Sequence, residues 1–514
     1  MKTIRAYWKN ISNDTRLWIM ALGSGLVYLA FTLPFSLKRY YAVNPPVDYA
    51  KLTQHSALGF TAYLVGIIAL FVLYLIGLRI LARSDNIGRN IRFILMTGVI
   101  FAVILIFSYP QTAIDLFINA IRSRAWAIYG LSPFLTSPEV IPPSDPWVGL
   151  AGEWVDIASP YGPVWELLSL GAYYLSGGGF LNHLFAIKVL CMLAYIGSVW
   201  LIYRIILQIR PEWAAVGTAF FAWNPLVLFE SVQNAHNDIV MVFFMLAAIW
   251  AFVQMMQADD LKEKLWYSGI FVLVFAVSIL VKFVTVMTLP FFLLTLALRQ
   301  KTWVQRIFSL TAYGLAIAGL LVLLMWPFWP GFDNWAVLDV GKGAGRSVMA
   351  LLILALRPIT GTNRAFDITR SIIYVGLGLL YLWCLWLVWS QRSKQHQSRK
   401  TPIISQIDTA IFAGFAVLFG YALFGASTFH AWYFIWCMPL AALLIPAIRT
   451  TSVAWTSSLA ALLIIPYFET IRVWIPTLNR NHLLGHAIGV PLLLIPVLLV
   501  LWIPLRVLPE ERRS

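Results

Sequence analysis

Long apolar runs separated by short polar stretches cover most of this 514-residue chain. The runs are continuous rather than alternating, so they predict helices and not the strands of a membrane β-barrel. Because about 20 apolar residues span a bilayer as a helix, the pattern predicts an all-α, polytopic membrane bundle of about fourteen crossings. The predicted crossings are Leu17–Leu37, Leu58–Leu81, Phe93–Phe107, Leu184–Leu207, Ala214–Ser231, Ile239–Met256, Trp266–Val281, Val284–Leu298, Ile307–Phe328, Ile372–Trp389, Ala410–Gly425, Trp432–Ile445, Val453–Tyr467 and Ala487–Leu505.

Two polar interruptions are large enough to be structured loops within a single membrane domain covering residues 1–514. The first, residues 108–181, contains the largely apolar stretch Pro163–Ser176, which is too short to cross easily and begins among Pro and Gly. We interpret this stretch as a re-entrant or surface-lying amphipathic helix. The second interruption covers residues 329–370.

The composition excludes a soluble protein, since 60% of the residues are hydrophobic and only 11% are charged. The net charge of +15 does not predict nucleic-acid binding, because Lys and Arg are concentrated in short loops, as topology signals and contacts for anionic membrane lipids. Cys191, Cys384 and Cys437 lie inside apolar runs and offer neither a disulfide framework nor metal-ligand spacing. The first apolar run is too long for a signal-peptide core, so we predict an uncleaved first crossing.

The distribution of Lys and Arg predicts that both termini are cytoplasmic, with the most basic inner loop at Gln391–Lys400. This topology requires that Pro163–Ser176 does not cross. It then brings the unusual polar residues to the outer face of the cell membrane: Asp115, His236, Asn237, Asp238, Lys282, Lys342, Arg346, Arg364 and His430.

Asp115 and the turn before Ile239 carry the candidate acid–base chemistry. A carboxylate at a membrane surface is costly unless solvated or paired, so Asp115 is either a general base or simply a helix cap or a partner of Arg122. Asn224-Pro225 should kink its helix, which then ends in a polar turn containing Asn234, His236 and Asn237. Asp238 suits a helix N-terminus, while His236 could titrate or bind a sugar hydroxyl. One His and one Asp do not predict a metal site.

Basic and aromatic residues in other outer turns are candidates for substrate binding. Lys282 interrupts an apolar hairpin, either as a snorkelling side chain or as a phosphate contact. Gly341-Lys342-Gly-Ala-Gly345-Arg346 lacks the P-loop pattern but could bind a lipid phosphate. His430 and Tyr433 lie in a short aromatic turn that fits either an interfacial belt or sugar stacking.

Four stretches in this order resemble the polytopic GT-C glycosyltransferases that use polyprenyl-phosphate sugars, and bacterial α-mannosyltransferases of the polyprenol-phosphomannose type in particular. The stretches are Asp115 in the first large loop, Ser159-Pro-Tyr161-Gly-Pro163, Asn224-Pro225 through His236-Asn237-Asp238, and Phe429-His430-Ala-Trp432-Tyr433.

The resemblance implies an active site on the extracytoplasmic face and transfer of a sugar, expected to be mannose, with inversion from a polyprenyl-phosphate donor to a lipid-linked or glycan acceptor. Asp115 would be the general base, with Asp238 and His236 also catalytic. The residues expected to bind substrate are Arg122, Tyr161, Asn234, Asn237, Lys282, Lys342, Arg346, Arg364, His430 and Tyr433. No cofactor is required, although a divalent cation could assist the leaving phosphate.

One departure leaves the base open, because these enzymes often carry an acidic pair where Asp115 is followed by Leu116. Asp115 therefore acts alone, with Asp156 or with Asp238. A secondary transporter is the main alternative, but its charged residues would lie mid-helix and its halves would repeat. A polymerase or ligase of polyprenyl-linked glycans is the other alternative.

Overall fold

A computed structural model describes residues 11–84, 86–331, 344–391 and 401–505 of the chain. These residues fold almost entirely into helices, and extended pairing among them is confined to two isolated bridges, Ser36 with Ser108 and Gly345 with Thr428. The predicted all-α class is therefore confirmed. Lys342 and the predicted basic loop after Gln391 lie outside the described residues.

Sixteen helices of eight residues or more form the framework of the described part. They are α1 (Asn13–Thr32), α2 (Ala57–Leu81), α3 (Ile87–Ile106), α4 (Asp115–Tyr129), α5 (Pro163–Leu175), α6 (Phe180–Ile209), α7 (Ala214–Ala222), α8 (Asp238–Gln257), α9 (Leu261–Val281), α10 (Leu289–Leu298), α11 (Trp303–Met325), α12 (Val348–Thr360), α13 (Thr362–Ser390), α14 (Thr401–Gly420), α15 (Ile448–Pro466) and α16 (His482–Trp502).

Short helical segments connect or extend these helices. Those with α-helical geometry are Leu37–Tyr40, Tyr49–Leu52, Pro225–Leu228, Met438–Leu443, Arg472–Trp474 and Pro476–Arg480. Those with 3₁₀ geometry are Pro138–Val140, Pro211–Trp213, Phe283–Thr288, Trp326–Phe328 and Ala431–Trp436. Three π-helical segments are Phe229–Gln233, Tyr421–Gly425 and Tyr467–Ile471.

Eleven described helices are long and apolar enough to cross a membrane, or up to twelve if one bent pair counts as a span. The chain is thus a multi-pass membrane protein, but the predicted count of fourteen is not confirmed. The difference lies at Phe283–Leu298 and Ala431–Leu443, which are shorter apolar helices. Each starts with a 3₁₀ segment, and Pro290 or Pro439 occupies the first turn of the α-helix that follows. Proline has no backbone N–H to donate to the preceding turn, so regular α-helical hydrogen bonding does not extend to the residues before it. The α-helical part therefore stays short.

The bent pair contains the kink that the sequence predicted at Asn224-Pro225. The axes of Pro211–Ala222 and Pro225–Gln233 differ by 53°. The Asn224 side chain accepts hydrogen bonds from the backbone N–H groups of Leu226 and Val227, so it caps the second half after the break. Its amide group also donates to the Ser458 hydroxyl at 3.1 Å, which ties the kink to α15.

The first large loop contains two helices, of which the sequence predicted only α5. Helix α4 begins at Asp115 and packs against α5, with the hydroxyls of Ser123 and Ser169 2.6 Å apart. Gly162, immediately before α5, donates its N–H to the Val281 carbonyl at 3.2 Å. The end of the loop is therefore fixed against the end of α9.

The backbone of Gly162 lies so close to α9 that an added Cβ would be 1.9 Å from the Leu280 carbonyl oxygen. We expect Gly162→Ala to push the loop away from α9 and to lower the thermal unfolding midpoint of the purified protein in detergent. Gly171→Ala is the matched control, since a Cβ on Gly171 meets nothing within 4 Å. Equal midpoints for the two variants would show that this docking contact contributes nothing to stability.

Candidate active site

Asp115 lies at the first position of α4 and faces the polar turn that precedes α8. Its Oδ2 is 3.8 Å from Nδ1 of His236, and its side chain is 14% exposed. Burial raises the pKa of Asp115 above its usual range; electrostatic interactions with His236, Lys282 and Arg122 oppose this shift, and the charge of Asp238 adds to it. A partly exposed carboxylate with a raised pKa is suited to accept a proton.

Glu230 completes a carboxylate–histidine–carboxylate row that the sequence analysis missed. The side chain is fully buried in the segment Phe229–Gln233, and its Oε2 is 3.3 Å from Nε2 of His236. It also accepts hydrogen bonds from the Thr112 hydroxyl at 2.7 Å and the Asn234 amide at 2.8 Å. The available signal was a single carboxylate inside the apolar run Ala214–Ser231, where a charge is costly and usually has a function.

Asp238 and Lys282 form a buried ion pair beside this row. Lys282 Nζ lies 2.7 Å from Asp238 Oδ1, and the Trp436 indole N–H donates to the same oxygen. Asp238 is the first residue of α8, as the sequence predicted, but Lys282 and Trp436 donate to its Oδ1, and its Oδ2 has no hydrogen-bond partner among the described residues. Its carboxylate instead neutralises Lys282, whose side chain is 17% exposed.

Three aromatic rings surround the ammonium group of Lys282. The distances from Nζ to the ring centroids are 5.5 Å for Tyr161, 5.8 Å for Tyr433 and 5.4 Å for Trp436. These separations are within the range of cation–π attraction. Lys282 is thus directed into the protein rather than outward to a headgroup region, which contradicts the snorkelling alternative.

A stack of three rings connects the turn before α8 to the aromatic turn late in the chain. Trp432 lies between His236 and His430, with centroid distances of 4.1 Å on each side and interplanar angles of 22° and 25°. Burial lowers the pKa of His430 well below its usual range, and the charges of Arg346, His236 and Lys282 act in the same direction. His430 is consequently a neutral ring at pH 7.

Arg346 reaches the same region through backbone pairing. Gly345 donates to the Ser427 carbonyl at 3.1 Å and accepts from the Phe429 N–H at 2.9 Å, so the segment containing Arg346 lies beside the aromatic turn. The Arg346 guanidinium forms an ion pair with Glu469, and the Arg346 N–H donates to His486 Nε2 at 3.1 Å. Arg346 has a φ of 55°, which is strained for a residue with a side chain.

The remaining candidates differ in their positions. Arg122 is buried and donates to the Ile157 carbonyl at 3.1 Å, a contact that holds the first loop. Asn234 is buried and accepts from the Gln111 N–H at 2.9 Å. Asn237 is buried, and its amide nitrogen has no hydrogen-bond partner. Arg364 is exposed in the first turn of α13, and none of the contacts described above for this cluster involves it.

Irregular backbone surrounds the cluster. The segment Phe229–Gln233 carries Glu230, and the segment Tyr467–Ile471 carries Glu469. Ala235, next to His236, has a φ of 57°. π-Helical turns and strained backbone often mark functional sites, because they aim side chains in directions that a regular helix cannot. Within the described ranges, no group of three or more His, Cys, Asp or Glu side chains is placed to hold a metal ion.

Comparison with protein families gives a match over the N-terminal part of the chain. The model of the family described as "Alpha-(1->6)-mannopyranosyltransferase, N-terminal domain" matches residues 18–298, which is more than half of the chain. These residues include Asp115, Glu230, His236 and Lys282. A search of curated proteins found no match.

Solved structures give distant likenesses. ArnT from Cupriavidus metallidurans, in the apo state, is 13% identical over 78% of this chain and 76% of its own, with a TM-score of 0.37. The same protein bound to undecaprenyl phosphate is 13% identical over 80% of this chain and 74% of its own, also with a TM-score of 0.37. The Archaeoglobus fulgidus oligosaccharyltransferase, tethered to an acceptor peptide, is 15% identical over 78% of this chain and 55% of its own, with a TM-score of 0.41. These scores are low, and we draw no conclusion from them.

Proposed function

We propose, from the premise that the chain belongs to the alpha-(1->6)-mannopyranosyltransferase family, that it transfers mannose from a polyprenyl-phosphate donor to a hydroxyl of a glycan or lipid-linked acceptor. The family membership makes the chain a membrane glycosyltransferase and confirms the predicted resemblance to α-mannosyltransferases. The donor, the inversion, the general base and the extracytoplasmic face are part of the proposal.

One observation carries the proposal: the turn that contains His236 and Asp238 contacts both the carboxylate of Asp115 and the ammonium group of Lys282, which come from distant parts of the chain. Asp115 contacts His236, and two residues later Asp238 holds Lys282. A base next to a positive charge is the arrangement required to deprotonate an acceptor while a phosphate leaves. Tyr161, His430 and Tyr433 contribute rings around this position that are suited to stack on a sugar.

In the proposed reaction, Asp115 removes the proton from the acceptor hydroxyl as the acceptor oxygen attacks the anomeric carbon. The bond from that carbon to the phosphate oxygen breaks, and polyprenyl phosphate leaves with the electron pair. Attack from the face opposite the phosphate inverts the anomeric carbon. An α-linked product therefore requires a β-linked donor.

The contacts favour Asp115 over the other candidate bases. Oδ1 of Asp238 is occupied by Lys282 and by the indole N–H of Trp436, so its negative charge already has a partner. Asp156 is exposed and belongs to the first loop rather than to the cluster. Oδ2 of Asp115 is 3.8 Å from Nδ1 of His236, beyond hydrogen-bond distance, so this contact does not compete with proton transfer.

Lys282 and Arg346 are the proposed contacts for the donor phosphate, and Lys342 and Arg364 remain candidates without described contacts to it. Both ion pairs would have to share their cation with the phosphate, since Lys282 is held by Asp238 and Arg346 by Glu469. Charge-assisted hydrogen bonds from these groups stabilise a leaving phosphate. No resident cofactor is needed in this scheme, and a divalent cation is an alternative source of the same stabilisation.

The identity of the transferred sugar can be tested by measuring transfer to a mannose acceptor by purified protein in detergent. The donor is polyprenyl phosphate carrying either mannose or glucose. We expect transfer from the mannose donor and a rate at least about 10-fold lower from the glucose donor, because one misplaced hydroxyl left unpaired costs about 1–3 kcal/mol. Equal transfer from both donors would contradict the assignment of mannose.

We expect Arg346→Ala to weaken donor binding more than it slows the bound complex. Loss of one charge-assisted contact corresponds to about a 10-fold increase in Kd, measured by titration of purified protein with polyprenyl phosphate mannose. Arg89→Ala is the matched control, since Arg89 also forms an ion pair with a carboxylate, that of Asp14, and is not among the candidate substrate contacts. Unchanged affinity in Arg346→Ala would remove this residue from the donor site.

The proposed topology places Ser137 outside the cell and Ser393 inside. We expect a single cysteine introduced at Ser137 to react with a membrane-impermeant thiol reagent in intact cells, and one at Ser393 to react only after permeabilisation, because the Lys and Arg bias orients the loops. The three native cysteines are all buried, so they provide a low background. External labelling at Ser393 would contradict the topology.

A further inference from the structure

Glu230 has a position that the proposed reaction has not yet used. The side chain is fully buried, yet its carboxylate is held in one orientation by Thr112 and Asn234 while it faces His236. Burying a carboxylate is unfavourable unless it is hydrogen-bonded and paired with charge. The fixed orientation and the proximity of an imidazole indicate a function beyond packing.

We propose that Glu230 is a positioning residue that keeps the Nε2 proton of His236 toward itself, so that Nδ1 faces Asp115 and receives the proton taken from the acceptor. This inference rests on the proposed function, with Asp115 as the base, and extends it from one carboxylate to a row of three groups. The geometry supports this order, since His236 has Glu230 at 3.3 Å from one ring nitrogen and Asp115 at 3.8 Å from the other.

The ring of His236 is fixed by its surroundings in the plane that this transfer requires. The ring of Trp432 stacks on one face with centroids 4.1 Å apart, and Oε2 of Glu230 lies 3.3 Å from Nε2, although the angle does not complete a hydrogen bond in this structure. A carboxylate on one ring nitrogen sets the tautomer and raises the basicity of the other nitrogen. The face of Trp432 also attracts a positively charged ring, which favours the imidazolium that forms.

The proton can be followed through the whole step. It passes from the acceptor hydroxyl to Asp115 as the new glycosidic bond forms and the bond to the phosphate breaks. Asp115 then passes it to Nδ1 of His236, for which the two atoms must approach by about 1 Å to reach hydrogen-bond distance. The imidazolium finally loses the proton to the released polyprenyl phosphate, which restores the initial charges.

Several charged groups face His236 from the elements around it. Asp115 approaches from α4 and Glu230 from the π-helical segment. Asp238 lies two residues away, but its charge is paired with Lys282. Arg346 and Lys282 are close enough to influence His430 on the other side of Trp432, and both disfavour added positive charge.

The test is the pH profile of Glu230→Gln, which keeps the size of the side chain and an oxygen that can accept from Thr112. We expect kcat to fall by about 10²-fold, a typical contribution of one acid–base element, with the KM for polyprenyl phosphate mannose unchanged. Removing the negative charge from the row should move the acid limb of the profile to lower pH. Glu166→Gln, another buried carboxylate that lacks contact with His236, should leave the acid limb in place.

A lower rate with an unmoved acid limb would show that Glu230 is only structural and would overturn the inference. If Glu230→Gln does not fold, the relay is tested by comparing the transfer rate of Asp115→Asn with that of the double variant Asp115→Asn/His236→Gln. Groups acting as one unit are not additive, so the double variant should be no slower than Asp115→Asn alone; an additional loss would overturn the relay. An active Asp115→Asn enzyme would instead refute the proposed base and with it the proposal on which the relay rests.

Discussion

Asp115→Asn is expected to reduce mannosyl transfer by about 10²–10⁴-fold, the usual contribution of a general base. Asparagine retains the shape of the side chain and its hydrogen-bonding capacity, but it cannot accept a proton at neutral pH. Because the carboxylate lies 3.8 Å from Nδ1 of His236, beyond hydrogen-bond distance, the substitution breaks no hydrogen bond between them, and expression, folding and donor affinity should remain near wild type. The measurement is transfer from polyprenyl phosphate mannose by purified variant and wild-type protein.

Asp238→Asn serves as the comparison, and the wild-type pH profile is a second readout. The base must be deprotonated to act, and burial raises the pKa of Asp115, so activity should be lost as the pH falls through a value above the usual range of aspartate. Full activity in Asp115→Asn together with an inactive Asp238→Asn would move the base to the turn before α8. Activity in both variants would contradict the base-catalysed mechanism.

Lys282→Met is expected to have the second large effect, on stability and donor binding together. The substitution leaves the carboxylate of Asp238, which is 0% exposed, without its cation. Breaking a buried pair in this way costs about 3–5 kcal/mol, and we expect the lower end because Trp436 still donates to Asp238. The loss would be measured as a lower thermal unfolding midpoint in detergent.

The double variant Lys282→Met/Asp238→Asn separates the two roles of the lysine. Removal of both charges leaves no uncompensated carboxylate, so the unfolding midpoint should recover much of its wild-type value. Affinity for polyprenyl phosphate mannose should stay low, because the proposed phosphate contact is still absent. Recovery of affinity with stability would show that Lys282 has only a structural role.

The sequence predicted the parts of this molecule that depend on local composition. Continuous apolar runs indicated the helical membrane bundle, and Asn224-Pro225 indicated the bend that the structure shows. Pro290 and Pro439 lie within two of the apolar runs, and they make α10 and Met438–Leu443 shorter than the length of those runs predicts. Helix α4 was not predicted, because its mixture of apolar, polar and aromatic residues resembles a folded loop when burial is unknown.

The ion pairs and hydrogen bonds within the cluster join residues that are far apart in the sequence, so they could not be predicted. Asp238 was interpreted through its position at a helix N-terminus, yet its partners are Lys282, the residue after α9, and Trp436, in a late 3₁₀ segment. Arg346 was interpreted as a phosphate contact from its glycine-rich surroundings, and its partner Glu469 comes from a distant π-helical segment. Glu230 was hidden inside an apolar run, since only the fold shows that Thr112, Asn234 and His236 surround it.

The most direct test of the central claim is whether lipid release and sugar transfer are coupled and depend on Asp115. Protein in liposomes would be given polyprenyl phosphate mannose and a mannose acceptor, and both polyprenyl phosphate and the mannosylated product would be quantified. We predict equal amounts of the two products, an α-(1→6) linkage in the glycan, and loss of both with Asp115→Asn. Movement of intact donor or acceptor across the bilayer, with no polyprenyl phosphate released, would contradict a glycosyltransferase of this kind and indicate a transporter.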